Sequence, residues 1–516
     1  MQSPSVSLVV TISCLLASAL PDLQYDQYHP KFPPSLTNRD KNELSIDYWL
    51  DNARKTAHKL INQPDNKRIA KNVILFLGDG MSIATVAMAR IYAGGEEQTL
   101  AFSSFPYIGM AKTYCVNYQV ADSACTATAF LTGVKGNYNT IGVNGQVSSN
   151  DCTAELNKST HTYSIAKWAM DAGKDAGLVT TTRVTHATPA GVYAHTSNRD
   201  REDDGEATKD GCDPETVEDI AKQLVHGEEG KRLKVVLGCG RWQFLDSDPD
   251  PETGRRGRRK DNRNLIQEWL DLANGIENRT YVWNKQDLLE VDPQSTDRLL
   301  GLFEPNHCVF NLNRVHQGLD KEPTLAEMVD KATDILRKNE NGFFLFVEGG
   351  RIDHGHHNNM ARFALDETVE FSKAVELARG KFSEEDTLIV VTSDHSHTVS
   401  FSGYSNRGSD IFGAAGVGSD ELPYMTINYA NGLGYYDHSD TVKGTRKNLA
   451  EMDTTADDFR FPSTVPLKKE THGGEDVEVY ASGPWSHLFT GTYEQNAIPH
   501  MMAYAACIGE GMKACS

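Results

Sequence analysis

Three stretches of this 516-residue chain place carboxylates and imidazoles directly after short apolar runs. VILFLGDGM puts Asp79 past one run. FFLFVEGGRIDHGHH ends another in Glu348 and follows it with Asp353, His354, His356 and His357. LIVVTSDHSH adds Asp394, His395 and His397, and His472 in THGGEDVEVY immediately precedes a further apolar stretch. A lone histidine is more often a satisfied core or surface group, but recurrence at equivalent places weakens that reading. Asp353 and His357 are four residues apart, so one helical turn aligns them. Mixed carboxylate and imidazole donors favour Zn2+, whereas oxygen-only sets favour Mg2+ or Ca2+.

Two further motifs could handle an anion. In VADSACTATAFLTG, Ser123 opens an Ala/Thr-rich segment that reads as a helix. Free backbone N–H groups at such a start suit an anion, although a serine there can also be no more than a cap. The chain lacks a GxSxG elbow, so a Ser-His-Asp hydrolase is not indicated. A nucleophilic Ser123 would instead need activation by a metal. In THATPAGVYAHTSNR, Thr188 supplies a hydroxyl and Arg199 a guanidinium, the best match to phosphate oxygens. Arg351 and His354 share a motif with the ligand candidates, but spacing assigns them no role.

These residues need elements to hold them. Runs at 73–77, 177–181, 234–237, 343–347 and 387–392 have strand length, with helical spacing between them at 160–172, 214–225 and 325–337. Buried strands alternating with helices imply an α/β fold with a large, mostly parallel sheet covered on both faces. Ligands then bind beyond the carboxyl ends of the strands, where the motifs fall. Residues 44–61 read as an amphipathic helix, and 402–470, rich in Gly, Ser, Asn and Asp, as a small insertion. The main domain is expected over 44–401, including a charged, loop-rich region at about 205–330, and it resumes over 471–516. The basic run at 255–260 reads as a solvated loop, or less readily as a docking patch.

The formal net charge is −20. It argues against a general nucleic-acid binder and requires that any anionic substrate be held by local Arg or metal charge. A hydrophobic content of 39% supports a large core and excludes wholesale disorder. Residues 1–19 read as a secretory signal ending in a small-x-small pattern. Asn157 and Asn278 head glycosylation sequons, usable only in that route. Of the nine cysteines, Cys14 lies in the signal. Cys115, Cys125, Cys239 and Cys308 sit beside apolar residues and read as buried free thiols.

GDGM, ADSA-x-TATA, THATPAG, FVEGGRIDHGHH, TSDHSH and THGGEDV, in that order, resemble the animal alkaline phosphatases. The resemblance implies a phosphate-monoester hydrolase of broad range with Ser123 as nucleophile and a phosphoserine intermediate. It implies one zinc on Asp353, His357 and His472, a second on Asp79, Asp394 and His395, and magnesium on Asp79, Thr188 and Glu348. Thr188 departs from the Ser usual in vertebrate members yet keeps the hydroxyl. Arg199 would clamp the phosphate, His186 and His397 would lie beside the ligands, and His354 would help position substrate. A calcium site is implied at Glu252, the Phe303 carbonyl, Glu304 and Glu322, with Glu322 replacing an Asp. Disulfides are implied at Cys152–Cys212 and Cys507–Cys515. A homodimer is implied through a crown-like 402–470 insertion and the 44–61 helix. The expected partners are small phosphate monoesters, not nucleic acid. A chain stopping at Ser516 without an apolar tail further suggests a secreted, unanchored enzyme. The alternatives are a phosphodiesterase or sulfatase of the same architecture, and an inactive secreted metal-binding protein.

Overall fold

The computed structural model describes residues 41–246, 249–250, 253–440 and 442–515, so the signal region and Glu252 lie outside the described residues. One ten-stranded sheet dominates. In chain order its strands are β1 (Asn72–Gly78), β2 (Tyr107–Lys112), β3 (Asp175–Arg183), β4 (Val235–Cys239), β5 (Arg279–Val282), β6 (Arg298–Leu302), β7 (Phe343–Gly349), β8 (Thr387–Ser393), β9 (Val477–Ser482) and β10 (Gly491–Glu494). Their spatial order is β10-β2-β9-β8-β1-β7-β3-β4-β6-β5. The five apolar runs read from the sequence are its contiguous centre. Every pairing is parallel except the two made by β9.

The central runs are continuously apolar because both faces are covered. In β1, Val73, Leu75 and Leu77 enter the core on one face, and Ile74 and Phe76 enter the core on the other. Each such side chain contributes about 1.5–3 kcal/mol on burial. Helices sit on both layers: Ser123–Thr132 sends Ala127 and Phe130 into the first core, and Leu325–Leu336 and Ala361–Lys381 send Met328 and Phe371 into the second.

We label the helices used below α1 (Ile46–Ile61), α2 (Ser123–Thr132), α3 (Ile165–Asp171), α4 (Ile220–His226) and α5 (Arg351–His357). Two start later than their apolar spacing suggests. α3 begins after Ser164, whose side chain caps it, because His161 is taken by a bridge to Val143. α4 begins after Asp219, which caps it by accepting from Lys222 N at 2.9 Å. α1 buries none of its residues. Between Val399 and Pro466 the chain builds its own small sheets, one of three strands (Val399–Phe401, Ile427–Gly432, Ser463–Pro466) and two of two (Ala414–Val417 with Pro423–Met425, and Ser439–Asp440 with Thr445–Arg446).

Two expectations are corrected. The four presumed thiols are bridged, Cys115 to Cys125 and Cys239 to Cys308, alongside Cys152–Cys212 and Cys507–Cys515. Apolar neighbours suit a buried disulfide as well as a buried thiol, and the fold brings the partner Cα atoms to 5.8 and 5.5 Å. The basic run at 255–260 is not uniformly solvated. Arg259 is fully buried and donates to Asp219 at 3.0 and 2.9 Å and to Asp261.

Candidate active site

Register in the sheet brings the first carboxylates together. Leu77 of β1 pairs with Glu348 of β7, which pairs with Thr180 of β3, and Gly78 pairs with Ser393 of β8. Asp79 and Asp394, one residue beyond β1 and β8, therefore emerge next to Glu348, and all three are buried. Gly80 donates its N–H to Asp394 Oδ1 at 3.0 Å. It does so at φ +66°, where a Cβ would also stand 2.4 Å from the His397 ring, so the GDG turn admits glycine alone.

The oxygens in this corner lack partners. Neither oxygen of Asp79 has a hydrogen bond, nor do Glu348 Oε1 or Thr188 Oγ1. Burial raises the Asp79 carboxyl well above its ordinary range, and Asp394, Asp353 and Glu348 add to the shift. Burial pushes Glu348 up to about 7 despite the Thr180 and Thr182 hydroxyls that donate to it. Buried polar atoms are normally satisfied. An all-oxygen group of crowded carboxylates fits a hard cation such as Mg2+.

The imidazoles form a second corner. α5 sets Asp353 and His357 one turn apart, with His357 Nε2 3.2 Å from Asp353 Oδ1. His472 Nε2 lies 3.4 Å from the same oxygen. It arrives from the far end of the chain by pairing with His397 in a two-residue ladder. His357 Nδ1 donates to Glu470 O at 2.6 Å and His472 Nδ1 donates to Ala121 O at 2.7 Å. Each Nε2 therefore presents a lone pair, yet the two stand 3.0 Å apart. Two such nitrogens beside a carboxylate fit a shared cation, and an imidazole anchored through its second nitrogen suits metal ligation. Burial pulls His357 down to about 4, so it is a neutral donor at physiological pH.

His395 likewise sends Nδ1 to Ser396 O at 3.2 Å and turns Nε2 toward Asp394 Oδ2 (3.1 Å), Asp79 Oδ1 (3.6 Å) and Ser123 Oγ (3.2 Å). His397 differs. It lies between Glu470 (2.6 Å) and Asp353 (2.8 Å), and against the opposing effect of burial these carboxylates raise it to about 10. Protonated on both nitrogens, it clamps Asp353 and cannot ligate.

Ser123 is the first residue of α2, but Asp122 is the cap, accepting from Cys125 N at 3.3 Å. The serine hydroxyl is thereby left for other work. Asp122 Oδ2 also accepts from Arg199 Nη1 at 2.9 Å, which aims the guanidinium across the helix start. Arg199 Nη2 lies 3.3 Å from His186 Nε2.

The structure thus gathers Asp79, Ser123, Thr188, Glu348, Asp353, His357, Asp394, His395 and His472 in one cleft, with His186 and Arg199 on its rim. His354 stands 5.6 Å from His186, ring to ring. His356 is a core histidine bonded to Thr85 and to Tyr429. Glu304 and Glu322 also approach each other, and burial followed by Glu304 raises Glu322 to about 8. Asn157 and Asn278 are exposed. Sequence reasoning missed Asp122 as the holder of Arg199, Thr180 and Thr182 beneath Glu348, and Glu470 behind His397. Asp122, inside the ADSA motif itself, and Glu470, two residues before His472, stood close enough to a motif to be found.

The family model for alkaline phosphatase matches residues 70–508. The membrane-bound alkaline phosphatase of Bombyx mori is 43% identical over 512 residues, covering 95% of this chain and 91% of that protein. The alkaline phosphatase of Gadus morhua is 47% identical over 478 residues, covering 90% and 97%. The crystal structure of Thermus thermophilus alkaline phosphatase superposes with a TM-score of 0.62 at 23% identity, over 89% of this chain and 97% of that one, and shows the shared fold. The chain belongs to the alkaline phosphatase family of phosphoric monoester hydrolases.

Proposed function

We propose that hydrolysis proceeds through a phosphoserine at Ser123, in a site that holds two Zn2+ and one Mg2+. The observation that carries this reading is the freed Ser123 hydroxyl, 3.2 Å from His395 Nε2 at the start of α2. Asp353, His357 and His472 would hold one zinc, Asp79, Asp394 and His395 the other, and Asp79, Thr188 and Glu348 the magnesium. The ions supply Lewis-acid charge that favours an ionised hydroxyl and neutralises phosphoryl oxygens. Arg199, fixed by Asp122, binds the phosphoryl group in a bidentate manner. Ser123 Oγ attacks phosphorus in line, and the ester alcohol departs. Water then attacks the phosphoserine from the vacated side, returning Ser123 and releasing phosphate. Two inversions leave the configuration at phosphorus unchanged.

The same reading extends to the periphery. Glu304, Glu322, the Phe303 carbonyl and Glu252 would form a calcium site. The chain would be exported, in keeping with its four bridges and exposed sequons. Among the described residues no helix is long and apolar enough to cross a membrane. A homodimer would cover α1, whose Ile46, Trp49, Leu50 and Ile61 are exposed, and would engage the small sheets of the 402–470 insertion.

Ser123→Ala should cut turnover of phosphate monoesters by orders of magnitude with the metal content intact, and acid quench of the wild type should trap phosphate on Ser123. A folded, fully active Ser123→Ala protein would refute the nucleophile. Arg199→Ala should lower kcat/KM roughly 30- to 1000-fold, about 2–4 kcal/mol, and weaken inhibition by inorganic phosphate.

A further inference from the structure

Beyond Arg199, the rim of the cleft carries a cation with no salt bridge among the described residues. Arg351 opens α5, two residues before Asp353. Its guanidinium lies 3.8 Å over the Phe310 ring, which stacks on Phe363 at 4.5 Å. Nη1 lies 2.7 Å from His354 Nδ1, and Nε is buried without a partner. Among the described residues no carboxylate comes within salt-bridge distance of it. Its neighbour Arg183, by contrast, is closed off by Glu202. A guanidinium keeps its charge at neutral pH.

Short contacts connect this cation to the phosphate clamp. His354 is 5.6 Å from His186, ring to ring, and His186 is 3.3 Å from Arg199. His307 fills the angle, 4.3 Å from His354 and 5.3 Å from His186. All of these side chains are half-buried, whereas Asp79, Asp394 and His395 are fully enclosed.

Three imidazoles this close could be taken for a further metal site. The hydrogen bonds say otherwise. His354 Nδ1 accepts from Arg351 and His186 Nε2 from Arg199, while both nitrogens of His307 face Arg183, Nδ1 at 3.3 Å from its backbone N and Nε2 at 2.5 Å from its Nη1. Each ring has given its one lone pair to an arginine N–H, and three positive charges surround the group. The wall therefore repels a cation. It offers His354 Nε2–H and the Arg351 guanidinium as donors, and an unpaired, partly desolvated charge gains most from an arriving anion.

We propose that Arg351, seated on Phe310 and joined to His354, forms a second anion subsite beside the phosphoryl clamp and selects phosphate compounds whose leaving group carries its own anionic group, a carboxylate or a second phosphoryl. This rests on the monoesterase reading above. The leaving group would point toward the half-buried rim while the transferred phosphoryl stays in the enclosed cleft.

The test compares the holoenzyme and Arg351→Gln on ethyl phosphate, on phosphoglycolate, which has nearly the same size but adds a carboxylate, and on inorganic diphosphate. The ratio of kcat/KM for phosphoglycolate to that for ethyl phosphate should fall about 10- to 100-fold in the variant, mostly through KM, with zinc and magnesium content equal to wild type. A selective fall for diphosphate alone would also place the anion at Arg351 and identify phosphoryl as the group it fits. An equal fall on all three compounds, or none, would overturn the subsite. Wild-type protein inactive on ethyl phosphate would overturn the monoesterase reading and the subsite with it. Should Arg351→Gln fail to accumulate, Arg351→Lys keeps the charge but loses the planar fork and should give an intermediate ratio, and a wild-type ratio would count against the proposal.

Discussion

Two regions of this protein bury charge and handle it in opposite ways. In the segment that reads as charged and loop-rich, Arg201 and Arg259 are fully buried and saturated. Arg201 holds Glu155 at 2.8 and 2.7 Å and Asp210 at 3.0 Å, and Arg259 holds Asp219 and Asp261. In the cleft, Asp79, Glu348 and Thr188 are equally buried, and both Asp79 oxygens, Glu348 Oε1 and Thr188 Oγ1 have no hydrogen-bond partner. Burial alone therefore does not mark function. Arg201 and Arg259 use saturated charge to organise loops, whereas the cleft crowds unsatisfied oxygens around one point.

Breaking the saturated region should have the largest effect on stability. Asp219→Ala strands the Arg259 charge and uncaps α4, so unfolding free energy should drop by about 3–5 kcal/mol in a denaturant melt. A loss below 1 kcal/mol would mean that Arg259 finds water or Asp261 sufficient. The cleft should respond with the opposite sign. In chelator-stripped protein, Asp79→Asn removes one of several crowded carboxylates and should raise stability by about 1–2 kcal/mol while abolishing activity in the metal-loaded form. If it destabilises the stripped protein, Asp79 has a protein partner after all and the contrast fails.

The smallest effect sharpens the comparison at the Glu304–Glu322 pair. Glu322 is raised to about 8 in the fold, against about 4.3 in an unfolded chain. Between those values the folded state holds a proton that the unfolded state has released, so stability falls as pH rises through that window. Calcium should restore more of the melting temperature at pH 8 than at pH 5, where protons already occupy the pair. Glu322→Gln should flatten both responses, and a calcium effect independent of pH would place the ion elsewhere.

Much of this was legible in the sequence because central strands of a doubly covered sheet are continuous apolar runs, and parallel topology sends their ends to one edge. Asp79, Glu348 and Asp394 could be picked out by position, and Asp353 and His357 by helical spacing. What could not be read depends on partners far away in the chain. Cys239 meets Cys308 across a separation of 69 residues. Arg259 looks solvated until Asp219 is brought beneath it. Asp122 looks like a plain cap, or Ser123 does, until Arg199 arrives and shows which residue is occupied. Local spacing carries no information on such pairings, because tertiary packing alone decides them.

The antiparallel strand β9 has a consequence for how the enzyme comes into being. β2, made early in synthesis, joins the sheet through β9 near the other end of the chain, and β10 joins only through β2. His472 sits just ahead of β9. One edge of the sheet and the last imidazole of the cleft are thus completed in the same late event. Until the C-terminal segment threads between β8 and β2, the nascent chain has an open, unpaired sheet border and a cleft that lacks His472. Catalytic competence is coupled by topology to finishing the chain, so a ribosome-stalled or clipped product would be both sticky and inert.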